Sequence, residues 1–433
     1  MPRPAAPAGH YYTNAYCTNT TMILLRNIFG YGILILLQKA SIFLLMPFVI
    51  ASLSVEDFGK ASQVLYIGNL CILFVIFGTD EALAKRASHS KADYGSLLTN
   101  GYVLLLLASS IFVLFSYFLS DLLYNYFTTN LRPRDRYISI ITVAISPIVI
   151  SALKILRVTG EYPAFARLTI IQVAVQAASI MTFVVWIDGG MTGYLASYLL
   201  ALAAALLYVL AVHRTHINLN FVSRKSIIDL LSYGAKIAPH TIASWGLYGF
   251  TLVFIGKQLG AESAAMLAAS NYIPYMANVV SYALLYSFQE SLYKKLGCKM
   301  QIRTLLPFFF GYVAAFFLIV IIMYAMSAKI FSIIFDSRYA LNDKLILLLF
   351  AAVFCQFCDS MFQYVLYYME RATQYTAVST VAAVVFNVVG LVLAARTLSI
   401  EYMVGVYALS QFLLLCIRTM LGIGFYMRFQ SEI

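Results

Sequence analysis

Charge is scarce in this chain. Of its 433 residues only 11% are Asp, Glu, Lys or Arg, with 18 acids against 29 bases. A soluble domain of ordinary composition carries about twice that fraction, so a water-facing globule is excluded. Tryptophan occurs twice, and the six cysteines are scattered. Their one close pair, Cys355 and Cys358, lies inside an apolar run with no second pair and no histidine cluster, which excludes a zinc site and leaves small packing residues. Long polar stretches are also missing between the apolar runs, so there is no extramembranous domain, and chemistry must happen inside a membrane or at its surface. The first 21 residues, MPRPAAPAGHYYTNAYCTNTT, lack the apolar core that a signal peptide would show. They read as an extension outside the fold, or as the product of an upstream start codon, because Met22 opens MILLRNIFGYG, a more natural beginning for a first helix.

What the chain does contain is hydrocarbon. The hydrophobic fraction is 62% and the mean hydropathy is +0.84. Crossing a bilayer of roughly 30 Å takes about 20 helical residues. Runs of that kind fall at 23–50, 61–79, 96–120, 137–156, 168–187 and 194–212, then at 227–255, 264–288, 304–327, 345–368, 376–395 and 403–423. The expected fold is therefore all-α, a polytopic membrane protein of twelve transmembrane helices in two pseudo-symmetric six-helix lobes. The expected boundaries are a polar extension (1–22), an N-lobe (23–212), a linker (213–226), a C-lobe (227–423) and a tail (424–433).

A repeat supports the division into two. FGTDEALAKR at 77–86 and YSFQESLYKK at 286–295 share Glu81/Glu290, Leu83/Leu292 and Lys85/Lys294, while Leu53-Ser-Val-Glu56 and Leu259-Gly-Ala-Glu262 occupy corresponding loops. Internal repeats in membrane proteins mark transporters, whose similar halves rock about a central site. The repeated segments have two readings. Each glutamate pairs with the lysine four residues on, a favourable helix spacing. Alternatively Glu81, Lys85, Arg86, Glu290, Lys294 and Lys295 form a cytoplasmic gate between the lobes.

The excess of base is no nucleic-acid signature here. The basic residues gather in alternate loops, led by Lys85, Arg86 and Lys91, then Arg214, Arg224 and Lys225, then Lys294, Lys295, Lys299 and Arg303. This bias places both termini in the cytoplasm. Arg132, Arg134 and Arg136 run against it, in an external loop.

An ionisable group in hydrocarbon costs roughly 2.5 to 3.5 kcal/mol on insertion scales and needs a partner, cavity or pathway. Lys39 lies about 18 to 24 Å into the first helix, at 1.5 Å per residue, with Gln38 beside it. In the seventh segment Ser232, Tyr233, Lys236, His240 and Ser244 share one face, and Pro239 favours a kink. In the tenth, Gln356, Asp359, Gln363, Tyr367 and Glu370 share another. Asn278 belongs to a polar face of the eighth segment, and such amides suit hydroxyl-rich ligands or interhelical bonding. The expected cavity residues are thus Lys39, Lys236, His240, Asn278 and Gln38. Asp359 is either an ion-coupling group or the partner of Lys236 or Lys39 in a salt bridge. No metal or other cofactor is expected.

The stretch from Arg26 to Arg86 carries a resemblance. A long first helix ending in Leu45-Met46-Pro47, the loop SLSVEDFG at 52–59, and a second helix closing on GTDEALAKR at 78–86 resemble the start of the Wzx-type polysaccharide transporters, with weaker echoes in Arg157-Val-Thr-Gly-Glu-Tyr162 and Arg371-Ala-Thr-Gln-Tyr375. These flippases belong to the multidrug, oligosaccharidyl-lipid and polysaccharide exporter superfamily. The resemblance implies a V-shaped pair of lobes and alternating access in the bacterial cytoplasmic membrane. The cargo it implies is an undecaprenyl-pyrophosphate-linked oligosaccharide, for O-antigen or another surface polysaccharide. It further implies cationic cavity residues facing the pyrophosphate, a role that Lys39 and Lys236 fit, and as partners membrane lipid, a polysaccharide polymerase and a chain-length regulator. Two rivals stand beside it. A drug or small-cation exporter of the same fold would favour acids in its cavity, and a membrane-embedded polymerase would carry a large external loop, which is lacking.

Overall fold

The structure, a computed structural model, describes residues 43–89, 94–127, 131–297, 302–335, 342–368 and 373–431, together with Leu34, Leu37, Ser41, Arg338 and Tyr339. Among the described residues all regular structure is helical. In chain order the helices are α1 (Phe43–Ser52), α2 (Val55–Ile76), α3 (Thr79–His89), α4 (Tyr94–Phe127), α5 (Pro133–Val158), α6 (Tyr162–Ile180, continued by a π-helix, Met181–Trp186), α7 (Gly190–His213), α8 (Arg224–Leu259), α9 (Ala261–Gly297), α10 (Ile302–Ile334), α11 (Asp343–Tyr368), α12 (Thr373–Ala394) and α13 (Ile400–Ser431). Nine helical stretches among the described residues are long and apolar enough to cross a membrane. α8 and α9 are longer still, at 36 and 37 residues, but their apolar runs are diluted by polar side chains. With these two and α1, the described helices account for all twelve expected segments. α10 faces outward almost everywhere, its most apolar window being only 11% buried.

The second expected segment differs from its reading as one helix. Ser54 caps α2, its hydroxyl accepting from the Asp57 amide at 3.0 Å. The helix then stops at Phe77 and Gly78, both left-handed (φ 45° and 71°). α3 starts afresh at Thr79, carrying Asp80 and Glu81 in its first turn where they favour the positive end of the helix. The counterpart segment, α9, is unbroken from Ala261 to Gly297. The repeat is therefore alike in sequence and unlike in backbone. Its two leucines keep one role, since Leu83 and Leu292 are both fully buried.

α2 to α7 pack as one bundle and α8 to α13 as another, joined by α2 and α3 against α8 and α9. The connection before α8 is strapped to α4. Asn100 donates to the Phe221 carbonyl (2.9 Å) and accepts from the Ser223 amide (2.7 Å), and Thr99 accepts from the Asn218 amide (3.1 Å). Mid-seam, the Trp245 indole N–H donates to the Tyr66 carbonyl at 2.7 Å, and Tyr66 meets Tyr248 edge to face across the bundles at 5.3 Å, Tyr248 in turn meeting Tyr407 within the second bundle at 5.5 Å.

The two ends of the seam are held by different means. At the end marked by Leu53, Arg338 donates to the carbonyls of Leu53 (3.1 Å) and Ile50 (2.6 Å). Those carbonyls are left over at the end of α1, where a cation is also favoured by the helix dipole. Phe58 against Tyr339 (6.0 Å) adds an aromatic contact there, while Phe43 packs on Tyr272 (4.4 Å) at the other end of α1. At the opposite end the break in α2 meets α8 backbone to backbone. A Cβ on Gly234 would stand 2.4 Å from the Phe77 carbonyl oxygen, and one on Gly78 would stand 2.6 Å from that of Gly234. α8 itself runs continuously through Pro239.

Gly234→Ala is expected to push α8 off this break and to cost about 1 to 3 kcal/mol, the range for overpacking, read as a lower unfolding temperature in detergent. Gly311→Ala, on the outward face of α10 with nothing within 4 Å, should leave that temperature unchanged.

Candidate functional site

The polar residues inside the second bundle converge on a charge that the sequence reading had not singled out. Arg418, in α13, is 1% exposed. Its guanidinium has five N–H donors, and the surroundings supply five acceptors. Nη1 donates to Asp359 Oδ2 (2.5 Å) and Gln363 Oε1 (3.1 Å). Nη2 donates to Thr380 Oγ1 (2.6 Å) and the Thr376 carbonyl (3.4 Å), and Nε to Ser379 Oγ (3.2 Å). One side chain thus ties together α11, α12 and α13.

His240 of α8 closes the same network. Its Nε2 lies 2.9 Å from the Gln363 amide nitrogen, and its Nδ1 lies 2.9 Å from Thr380 Oγ1. Gln363 presents its amide oxygen to Arg418, so its nitrogen is the donor to the imidazole, and that nitrogen also meets the Tyr367 hydroxyl. Thr380 donates to the Thr376 carbonyl (2.7 Å) and so accepts from both Arg418 and His240. The consistent assignment is a neutral imidazole protonated on Nδ1. A second proton on Nε2 would face the Gln363 N–H, with Arg418 Nη2 only 3.4 Å from Nδ1.

This geometry corrects the reading of Asp359. Among the described residues its ion-pair partner is Arg418 (2.5 Å) and not Lys236. The reason is the helix arrangement, because α11 and α13 lie side by side, and Arg418 comes from the last membrane segment, far away in sequence. The signal that could have found it is plain in retrospect: an ionisable residue in the middle of LLLCIRTMLG needs a buried partner. Asp359 is itself 3% exposed, and its Oδ1 has no hydrogen-bond partner among the described residues.

The polar face expected on the seventh segment divides. His240 turns into the Arg418 network. Lys236, one turn earlier on the same face, is exposed and has no ion-pair partner among the described residues. Ser244 is exposed and bonds back to the His240 carbonyl (2.8 Å). Asn278 is half-buried, with its Nδ2 3.5 Å from Gln356 Oε1 and its Oδ1 accepting from Ser281 (3.0 Å), so it bridges α9 and α11. Lys39 and Gln38 lie outside the described residues, as does Glu370.

The repeated segments also pair differently from expectation. Glu81 binds Lys154 of α5 at 2.6 Å rather than Lys85, and Asp80 meets the same ammonium. The break at Phe77 and Gly78 sets α3 against α5 and brings both acids to one lysine. Lys85 is exposed and stands 4.9 Å above the Tyr233 ring of α8, a cation–π contact across the bundles. Arg86 is half-buried. The side chains of Glu290, Lys294 and Lys295 lie outside the described residues. Among the described residues no cluster of His, Cys, Asp and Glu could hold a metal ion.

The family described as "Polysaccharide biosynthesis protein" matches residues 24–293. Among curated proteins nothing matches significantly. Solved structures share the fold at low identity. An inward-facing multidrug resistance MATE transporter of the MOP superfamily superposes with a TM-score of 0.72 at 13% identity, over 91% of this chain and 96% of its own. An outward-facing one gives 0.68 at 13%, over 94% and 96%. A MOP superfamily transporter from Pyrococcus furiosus, described as having a binding pocket of reverse polarity that suggests a different function, gives 0.66 at 14%, over 92% and 95%.

Removing one partner of a buried ion pair strands the other, at about 3 to 5 kcal/mol, whereas replacing both with apolar groups is often neutral. Asp359→Leu and Arg418→Met alone should each lower the amount of folded protein, measured by fluorescence-detected size exclusion, and the double variant should recover much of it. An Asp359→Leu protein of full abundance would show that the pair is not needed for folding.

Proposed function

We propose, because the chain belongs to the polysaccharide biosynthesis protein family, that it moves an undecaprenyl-pyrophosphate-linked oligosaccharide across the bacterial cytoplasmic membrane by alternating access, with both termini in the cytoplasm. The chain is a multi-pass membrane protein, and its family and the solved structures of its fold are transporters rather than enzymes. On this reading the Leu53 end is external, and the contacts of Arg338 close the pathway to the outside.

The observation that carries the reading is the charge left over. Arg418 and Asp359 neutralise each other, and every donor of that arginine is taken, so the network has none to give a ligand. Lys236 is exposed and has no compensating acid among the described residues. An unpaired ammonium attracts an anion, and a pyrophosphate is an anion for which a compact point charge suffices. A cavity built for cationic drugs would leave an acid uncompensated instead. That a transporter of this fold from Pyrococcus furiosus is described as having reversed pocket polarity supports the idea that one scaffold serves cargo of either sign. Lys39 is proposed to add a second cation from the first helix. Asp359, held by Arg418, is proposed as the group whose protonation would loosen the second bundle if the cycle is driven by an ion. Glu81, Lys85 and Arg86, with Glu290, Lys294 and Lys295, are proposed to form the cytoplasmic gate. A polymerase and a chain-length regulator would act on the glycan after transfer.

The drug-exporter reading is tested by the same variants. Lys236→Ala, alone and with Lys39→Ala, should strongly reduce surface polysaccharide at unchanged membrane abundance, and Lys236→Arg should retain part of it. Normal polymer in the double variant, together with unchanged drug susceptibility in a strain lacking the protein, would leave the central-cation mechanism without support.

A further inference from the structure

Two of the three arginines that run against the charge bias, Arg132 and Arg134, line a cavity outside both the Arg418 network and the seam. It lies at the Leu53 end of the first bundle, has a volume of about 670 Å³, and is walled by the starts of α2, α5 and α7 and by the turn that follows α6. Ligand sites of small molecules occupy roughly 300 to 1,000 Å³.

The turn that forms one wall is irregular. α6 widens into a π-helix over Met181–Trp186, and Asp188 follows in the left-handed region (φ 51°), an uncommon position for a residue other than glycine, with Gly190 likewise at φ 55°. The turn is fastened from behind. Thr192 donates to the buried carboxylate of Asp135 at 2.6 Å, which joins the first turns of α5 and α7.

The charges left facing the cavity are of both signs. Lys60 is occupied by Glu56 at 2.6 Å, and Asp135 by Thr192. Arg132 and Arg134 are exposed and make no ion pair among the described residues, and neither do the carboxylates of the half-buried Asp57 and the exposed Asp188. Two guanidinium forks suit a carboxylate or a phosphate ester. Two free carboxylates beside them would repel a small inorganic anion, yet they accept hydrogen bonds from hydroxyl groups. A ligand that satisfies both halves carries one acidic group and several hydroxyls.

We infer that this cavity binds an acidic saccharide, with Arg132 and Arg134 on its anionic group and Asp57 and Asp188 on its hydroxyls. The inference rests on the reading of the chain as a glycan transporter and adds to it a saccharide site away from the central cations, where the glycan head would rest at the external end.

The test is equilibrium binding to the full chain, purified in detergent or in nanodiscs, with trigalacturonate as acidic probe, maltotriose as neutral probe, and inorganic phosphate as competitor. Trigalacturonate should bind at least about tenfold more tightly than maltotriose. R132A/R134A should weaken it by roughly tenfold or more, since each lost charged hydrogen bond is worth about that factor. These substitutions remove positive charge from the external end, so they favour rather than oppose correct insertion. Asp188→Asn, which keeps the arginines, should weaken trigalacturonate severalfold through the hydroxyl contacts alone. Three results would overturn the inference: no trigalacturonate binding, equal binding by the wild type and R132A/R134A, or displacement by phosphate or by phosphatidylglycerol nanodiscs as effective as by the saccharide. Binding is read without transport, so its failure is separate from that of the flippase reading, which falls instead if the lysine variants export glycan normally.

Discussion

A guanidinium cannot stay charged in the core of a membrane bundle unless every donor has somewhere to go, and much of the second half of this molecule is arranged to meet that demand. Arg418 receives a carboxylate, an amide oxygen, two hydroxyls and a carbonyl from two positions on α11 and three on α12. Removing the lipid-facing alternatives is what makes the network specific. In hydrocarbon an unpaired polar group costs several kcal/mol, so the partners of Arg418 fix how α11, α12 and α13 may pack, and His240 extends the constraint to α8. A cation with no free donor holds helices together and has no hydrogen bond left to give.

The two bundles meet under a different constraint. Lipid supplies little hydrophobic drive for helix association, and close backbone approach replaces it. α2 is broken where it meets α8, and the break gives the molecule both its tight contact at Gly234 and the separate helix α3. That helix carries Asp80 and Glu81 to Lys154 and Lys85 to Tyr233. The acids therefore bind within the first bundle while the base reaches across to the second. At the far end the closure is made instead by a single arginine on the spent carbonyls of α1 and by stacked rings. The two ends of the seam are thus held by contacts of different kinds, a charged and aromatic set at one and backbone against backbone at the other.

A good deal of this was legible in the sequence. The number and position of the membrane segments follow from the length of apolar runs, because a bilayer admits only helices of a set length. The polar faces of the seventh and tenth segments were legible as well, since helical periodicity alone puts His240 beside Lys236 and Gln363 beside Asp359. The sharing of one network by those two faces was not legible, and neither was the identity of the partner of Asp359. Periodicity gives the angle of a side chain around its own helix and says nothing of which neighbouring helix stands there. Glu81 shows the same limit: the helical spacing to Lys85 is real, yet a lysine on α5 competes for the carboxylate and holds it.

The sequence by itself determined that this chain lives in a membrane, that it is helical, that it contains one unit used twice, and which few polar residues had to be explained, because all of these depend on local composition and on the cost of charge in hydrocarbon. Tertiary structure decided which of those charges are spent and which are free. Arg418 and Asp359 cancel, Lys154 takes both acids of α3, and Lys236 is left exposed, outcomes set by helices that meet in space after long separation along the chain. The repeat is the clearest case: its two copies agree in residues, but the left-handed pair at Phe77 and Gly78 breaks one helix and leaves the other whole, and only the packing of Gly234 into that break shows why.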